Sequence, residues 1–105
     1  MSFGRIIAAA RKQRGLSLKE VATQLRKEDG AAISPQYLND IEHDRRHPPS
    51  EHLLHQLARV LNLSTDYLLY KAHELPSDLP DADPARVDEA FAAFRRVIKG
   101  REKPQ

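Results

Sequence analysis

Apolar residues recur along most of this chain at intervals of three and four, which is the spacing of an amphipathic helix. The first such stripe lies within residues 3–14 and stops before Gly15, a residue that suits the end of a helix. Each later stripe up to residue 70 follows a serine that can cap a helix; these serines are Ser17, Ser34, Ser50 and Ser64. The pattern predicts five short helices packed as an all-α bundle, with no strand.

Two of the predicted helices are close enough in sequence to form a helix-turn-helix pair. The first begins with the capping box Ser17–Glu20 and should fade near Lys27. Its partner begins at Ser34, with Pro35 at the first helical position. The Glu-Asp-Gly sequence at residues 28–30 is typical of a turn between them.

A stretch rich in proline and aspartate, residues 75–84, separates this bundle from a sixth predicted helix. That helix should open at Asp83-Pro84 and run to about Lys99, with its apolar residues on one stripe. The chain thus divides into three parts: a bundle (residues 1–74), a linker (75–83) and a C-terminal helix with its tail (84–105).

The charges are unevenly distributed, although the formal net charge is only +2. Residues 1–27 hold seven Lys and Arg against one acid, whereas residues 28–44 hold five acids and no Lys or Arg. Residues 95–103 hold five Lys and Arg against one acid. A basic face favours an anionic partner such as nucleic acid, but an ordinary solvated helix surface has the same composition.

Several functions are disfavoured by the composition. The chain has no cysteine, so neither disulfides nor thiolate chemistry are expected. The apolar run near its start, Ile6–Ala10, is too short for a signal peptide or a membrane span, which suggests a cytoplasmic protein without membrane contact. His52 and His55 lack the further ligands of a zinc site, so we interpret them as exposed side chains. We expect no metal, no cofactor and no enzymatic activity.

Four strings, in this order, resemble the lambda-repressor-like, or XRE-type, helix-turn-helix regulators: RIIAAARKQRGLSLKEVA, ISPQYLNDIE, RRHPPS and LLHQLARVLNLSTDYLL. The resemblance covers roughly residues 3–70 and rests on the ordered set rather than on any single motif. It implies a five-helix DNA-binding bundle, to which this chain adds its C-terminal helix. In that family the third helix lies in the DNA major groove.

The resemblance also implies which residues touch double-stranded DNA. The start and outer face of the third helix would meet base edges, through Ser34, Pro35, Gln36, Asn39 and Asp40. Amides can bond adenine and an acid can accept from cytosine, although each of these side chains could also be merely solvated. Phosphates would be bound by Lys19, Arg45, Arg46 and His47. Tyr37 could bond a phosphate, pack on the second helix, or do both.

One ion pair and two departures complete the comparison with the family. By resemblance, Arg11 of the first helix and Glu42 at the end of the third would pair inside the motif. Asp44 stands where the family commonly has glycine, which suits a positive φ that Asp tolerates better than most residues. Residues 27–33 are an insertion that could lengthen the second helix or form a loop. Its acids would repel phosphate unless they point away from DNA.

The sequence therefore predicts a sequence-specific DNA-binding transcriptional regulator, more typically a repressor on a two-fold symmetric operator. The sixth helix would form a homodimer, because paired half-sites suit symmetric dimers. Its dimerisation stripe comprises Val87, Phe91, Phe94, Val97 and Ile98. Packing on its own bundle and binding another protein are the alternatives for this helix. The rival function is a protein-interaction module, such as an antitoxin or adaptor, on the same scaffold.

Overall fold

The structure is a computed structural model that describes residues 2–73, 78–79 and 81–100. Six α-helices lie in these ranges: α1 (Phe3–Gln13), α2 (Leu18–Thr23), α3 (Pro35–Glu42), α4 (Glu51–Leu61), α5 (Thr65–Ala72) and α6 (Pro84–Gly100). The prediction of an all-α bundle followed by a sixth helix is confirmed. None of these helices is both long and apolar enough to cross a membrane. The predicted boundary at residue 74, residues 75–77 and 80 of the linker, and the tail 101–105 lie outside the described residues.

Serine side chains begin most of the helices, as the sequence predicts. Ser17, Ser34 and Ser64 each accept a hydrogen bond from the backbone N–H three residues later. Ser17 also forms the predicted capping box with Glu20, whose carboxylate accepts from the Ser17 N–H at 2.8 Å. Ser50 has the extended backbone of a cap but makes no capping hydrogen bond with its side chain.

The core lies where α1 packs against α3, α4 and α5, and where α2 packs against α3. Its largest side chains with almost no exposed surface are Ile7, Val21, Leu25, Leu38, Leu54, Leu57 and Leu68. Leu38 and Ile41 of α3 are both buried. Because they fix the inner side of this short helix, the residues between them must face outward.

The prediction for the end of the second helix was wrong, because α2 stops at Thr23 rather than near Lys27. The chain instead forms a small hairpin over residues 26–32, with one antiparallel bridge between Arg26 and Ala32. The Gly30 N–H donates to the Lys27 carbonyl at 2.8 Å, and Gly30 has a φ of +88°. A turn that ends in a left-handed glycine is typical of a three-residue hairpin loop. The 27–33 insertion is therefore a loop and not an extension of α2.

Helix α6 packs on α5 with its first half. Val87 is only 2% exposed, and the carboxylate of Asp88 accepts a hydrogen bond from the Ser64 hydroxyl. The Arg95 guanidinium donates to both carboxylate oxygens of Asp66, at 2.5 and 2.8 Å, and this pairing lowers the pKa of Asp66 below its usual value. Apart from the ion pair of Arg95, the second half of α6 is largely exposed, and Phe94, Val97 and Ile98 are at least 50% exposed.

The start of α1 lies directly against the end of α3. A Cβ added at Gly4 would lie 2.5 Å from the Ile41 carbonyl oxygen and 2.6 Å from that of Glu42. Asp44 has a φ of +58°, which matches the requirement inferred from the family position. Its carboxylate accepts from the Ser2 hydroxyl at 2.6 Å and from the Gly4 N–H at 3.0 Å. Asp44 therefore also anchors the first turn of α1.

We predict that Gly4→Ala lowers the free energy of unfolding by about 1–3 kcal/mol, because the new methyl group meets backbone oxygens that cannot move independently. Thermal or denaturant unfolding followed by circular dichroism measures the change. Gly100→Ala is the matched control, since an added Cβ there meets nothing within 4 Å. Equal stabilities of the two variants would contradict the close approach of α1 and α3.

Candidate nucleic-acid interface

The outer side of α3 presents three polar side chains, Gln36, Asn39 and Asp40, which we call the reading face. Gln36 is exposed, whereas Asn39 and Asp40 are half-buried. Ser34 caps this helix and Pro35 occupies its first turn, so both have structural roles in addition to the predicted base contacts. Grooves run along both sides of α3: Gln36 and Asp40 line the one beside the 26–32 hairpin, and Asn39 lines the one beside α1.

Asp40 is the centre of a polar network. Its carboxylate accepts from the Gln36 amide at 3.0 Å and from the Arg45 guanidinium at 3.1 Å, and it lies 3.7 Å from the Arg46 guanidinium. Partial desolvation opposes the charge, but the hydrogen bonds from Arg45 and Gln36 outweigh it and lower the pKa of Asp40. Asp40 therefore stays ionised and holds both loop arginines against the end of α3.

Tyr37 and Arg46 are stacked on each other. The guanidinium carbon of Arg46 lies 4.9 Å from the centroid of the Tyr37 ring, within the range of a cation–π contact. Tyr37 is half-buried and packs against the core cluster. Tyr37 therefore packs within its own chain, while its packing on the second helix and its phosphate contact stay predictions.

Asn39 differs from its two neighbours on the reading face. Among the described residues, its side chain makes no hydrogen bond, whereas Gln36 and Asp40 are bonded to each other. Asn39 lines a groove of about 620 Å³ between α1 and α3, with the basic residues Arg5 and Lys12 on its far wall. Its amide is thus free to bond an incoming ligand in a setting of positive charge.

Arg11 and Glu42 form an ion pair that links α1 to the end of α3. The Arg11 Nε donates to one oxygen of Glu42 at 2.6 Å, and a terminal nitrogen of Arg11 donates to the other at 3.0 Å. The second terminal nitrogen of Arg11 donates to the Leu16 carbonyl at 2.8 Å, in the junction before α2. The hydrogen bond to Glu42 raises the pKa of Arg11 against the opposing effect of burial. Only 3% of the Glu42 side chain is exposed, so Arg11 takes the place of water as its hydrogen-bond partner.

The structure does not bring every predicted DNA contact into one network. Lys19 is exposed on α2, where the capping box already occupies the N–H groups of Ser17 and Glu20. His47 is exposed in the loop after α3, and Arg45 is held by Asp40. The predicted contacts of Lys19, Arg45 and His47 with phosphate remain predictions.

Sequence reasoning assigned no role at this surface to three residues that shape it: Lys27, Asp44 and Gln56. Lys27 lines the groove beside the reading face, and Asp44 anchors α1. Gln56 of α4 binds the backbone of the hairpin through both ends of its amide. The sequence at residues 28–30 did predict a turn, and its Asp29-Gly30 pair is also a hairpin signal. Nothing in the sequence points to the pairing of Gln56 with a backbone 30 positions away.

Comparison with known proteins identifies related chains. Residues 7–68 match the family described as helix-turn-helix. Over 95 residues the chain is 38% identical to the HTH-type transcriptional regulator ImmR of Bacillus subtilis (strain 168), covering 90% of this chain and 69% of ImmR. It is 33% identical to the HTH-type transcriptional regulator SinR of the same organism, over 72% of this chain and 63% of SinR. A solved structure of the SinR protein/SinI protein complex aligns with a TM-score of 0.53 and 28% identity, covering 95% of this chain and 94% of that chain.

We predict that Arg11→Ala destabilises the protein by about 3 kcal/mol, because it leaves the buried carboxylate of Glu42 without its partner. The double variant Arg11→Met/Glu42→Leu should recover most of this loss, since no charge is then left buried. Chemical denaturation of the two variants and the wild-type chain measures the difference. A double variant as unstable as Arg11→Ala would show that the cost comes from lost packing of the arginine stem.

Proposed function

We propose that this chain, which belongs to the XRE-type helix-turn-helix family of DNA-binding transcriptional regulators, represses transcription by occupying a two-fold symmetric operator in the cytoplasm. Members of this family are regulators and not enzymes. The observation that carries the proposal is the free amide of Asn39 on the outward side of α3, beside two arginines that follow the same helix.

Base recognition is assigned to the reading face, because α3 is the element of the motif that enters the major groove. The side-chain amide of an asparagine or glutamine can donate to adenine N7 and accept from the adenine N6 amino group, so that one side chain reads one base. Asn39 can do this without breaking an existing contact. Gln36 must first give up its hydrogen bond to Asp40 before it can bind a base.

Positioning on the duplex is assigned to Arg45, Arg46 and His47. The two arginines are more than half exposed although they contact Asp40, so each retains N–H groups for a phosphate oxygen. Contacts with phosphate fix register and orientation and are shared by all sequences. This separates the proposed roles of α3 and of the loop that follows it.

The exposed stripe of α6 is the surface we assign to the homodimer. Val87 is buried within its own chain and Phe91 is half-buried, so the surface is formed by Phe94, Val97 and Ile98. Beside it, an apolar groove of about 460 Å³ between α5 and α6 is lined by Tyr70, Phe91 and Phe94, among others. Burial of each large apolar side chain contributes about 1.5–3 kcal/mol. Pairing with the same stripe of a second chain would bury these side chains in both copies.

A second candidate occupant of this stripe is a different protein. The similar solved structure is by its title a complex of two proteins, SinR and SinI, and its aligned region covers 95% of this chain. A regulator whose dimer surface is covered by another protein would lose the pairing of its two recognition helices. In that case the partner would act as an antagonist of operator binding.

We predict that Asn39→Ala relaxes the base preference at one position per half-site and weakens binding to the preferred sequence by about 1–3 kcal/mol. Arg46→Ala should weaken binding to all sequences similarly and reduce the slope of log K against log salt by about one. Fluorescence anisotropy on a duplex selected from a random pool, and on a random duplex, separates the two effects. Identical behaviour of the variants on both duplexes would contradict the assigned roles.

We predict a homodimer whose two α3 helices are about 34 Å apart, as one turn of B-DNA requires. Phe94→Lys should shift the sedimentation coefficient to that of a monomer and weaken operator binding, because it places a charge in the exposed stripe. Arg96→Ser, which changes an exposed polar residue of the same helix, is the control and should leave the dimer intact. Since Val87 belongs to the core of its own domain, substitution is a cleaner test than removal of α6. A wild-type chain that sediments as a monomer, or a Phe94→Lys variant that still dimerises, would contradict the proposal.

A further inference from the structure

The 26–32 hairpin is held in a fixed position by α4. The Gln56 Oε1 accepts from the Arg26 N–H at 2.9 Å, and the Gln56 Nε2 donates to the Arg26 carbonyl at 2.8 Å. One amide thus satisfies both backbone groups of Arg26, as a neighbouring strand would. The loop itself is closed by the Lys27 N–H, which donates to the Ala31 carbonyl at 2.9 Å. The hairpin is therefore an ordered element with a defined orientation.

Lys27 of this hairpin lies beside the reading face. It lines a groove of about 310 Å³ whose other walls include Gln36, Asp40 and Arg46. Lys27 is exposed, and among the described residues its ammonium group makes no ion pair or hydrogen bond. A duplex lying along α3 would close this groove, with Lys27 on one wall and Arg46 on the other.

The acids of the insertion lie in a different setting. Glu28 and Asp29 line a second groove with Pro49, Ser50 and His52, at the start of α4, and Lys27 also lines this groove. One carboxylate oxygen of Asp29 also accepts from the Ala31 N–H at 2.9 Å, inside the turn. Lys27 thus borders both grooves, whereas Glu28 and Asp29 do not line the one that borders Gln36 and Asp40. This separation reduces the repulsion of phosphate expected from the composition of the insertion.

We infer that the 26–32 hairpin is a second DNA-contact element, in which Lys27 binds a backbone phosphate beside the bases that α3 reads. Lysine suits this role because its ammonium is a compact charge on a flexible stem that needs no planar partner. Gln56 is a positioning residue that holds the hairpin for this contact. The inference rests on the proposed function, since it requires α3 to lie on a duplex.

The test measures affinity against salt for the full chain and for Lys27→Ala, on the selected duplex and on a random duplex. The loss of one phosphate contact should reduce the slope of log K against log salt by about 0.9. It should also weaken binding to both duplexes by the same factor. Lys99→Ala, which removes the same charge from the exposed surface of α6, is the matched control and should leave the slope unchanged. Glu28→Gln should also leave it unchanged.

The outcomes distinguish this inference from the proposed function. If Arg46→Ala reduces the slope and Lys27→Ala does not, the hairpin makes no contact while the proposed function stands. If neither substitution changes the affinity, the proposed docking of α3 is wrong as well. If Lys99→Ala reduces the slope as much as Lys27→Ala does, the effect is one of overall charge and the inference is overturned.

The role of Gln56 is tested by a double-mutant cycle. Gln56→Ala should weaken DNA binding by no more than Lys27→Ala, and the double variant should bind like Lys27→Ala alone, because both remove one contact. Thermal unfolding of each variant confirms that the bundle is folded at the temperature of the binding measurement. Fully additive losses would show that Gln56 does not act through Lys27 and would overturn its positioning role.

Discussion

The ion pair of Arg11 and Glu42 joins three parts of the chain, which are α1, the end of α3 and the junction before α2. Apolar contacts are non-directional, so a short helix such as α3 could rotate on them at little cost. The guanidinium fork fixes one orientation, because it grips both oxygens of Glu42 and the Leu16 carbonyl at the same time. Burial of a charged pair contributes little net stability, so we interpret its main effect as orientation of the reading face.

The fold could be predicted from the sequence wherever local signals decide the structure. Serine caps and apolar stripes depend on a few neighbouring residues, and the predicted helix starts at Ser17, Ser34 and Ser64 were confirmed. The segment after α2 is held instead by Gln56, which binds the Arg26 backbone from another helix. A tertiary hydrogen bond of this kind leaves no periodic signal, and the predicted continuation to Lys27 was therefore wrong.

The candidate site could be predicted residue by residue but not as a connected surface. Outward placement of Gln36, Asn39 and Asp40 follows from the burial of Leu38 and Ile41, which the sequence pattern indicates. The sequence does not show that Asp40 is already occupied by Arg45, Arg46 and Gln36. Because its carboxylate already has three partners, Asp40 would have to release one of them before it could accept a hydrogen bond from cytosine. Asp40 is therefore better understood as the residue that orders the loop arginines.

The close approach at Gly4 has an electrostatic consequence for α3. The first turn of α1 faces the last carbonyl groups of α3, so the positive end of one helix macrodipole meets the negative end of another. These partial charges offset each other, whereas the positive end of α3 at Ser34 is exposed. A polyanion is then attracted to the first turn of α3 and not repelled by its last turn. The direction in which the helix enters a nucleic-acid groove is thus biased before any base is read.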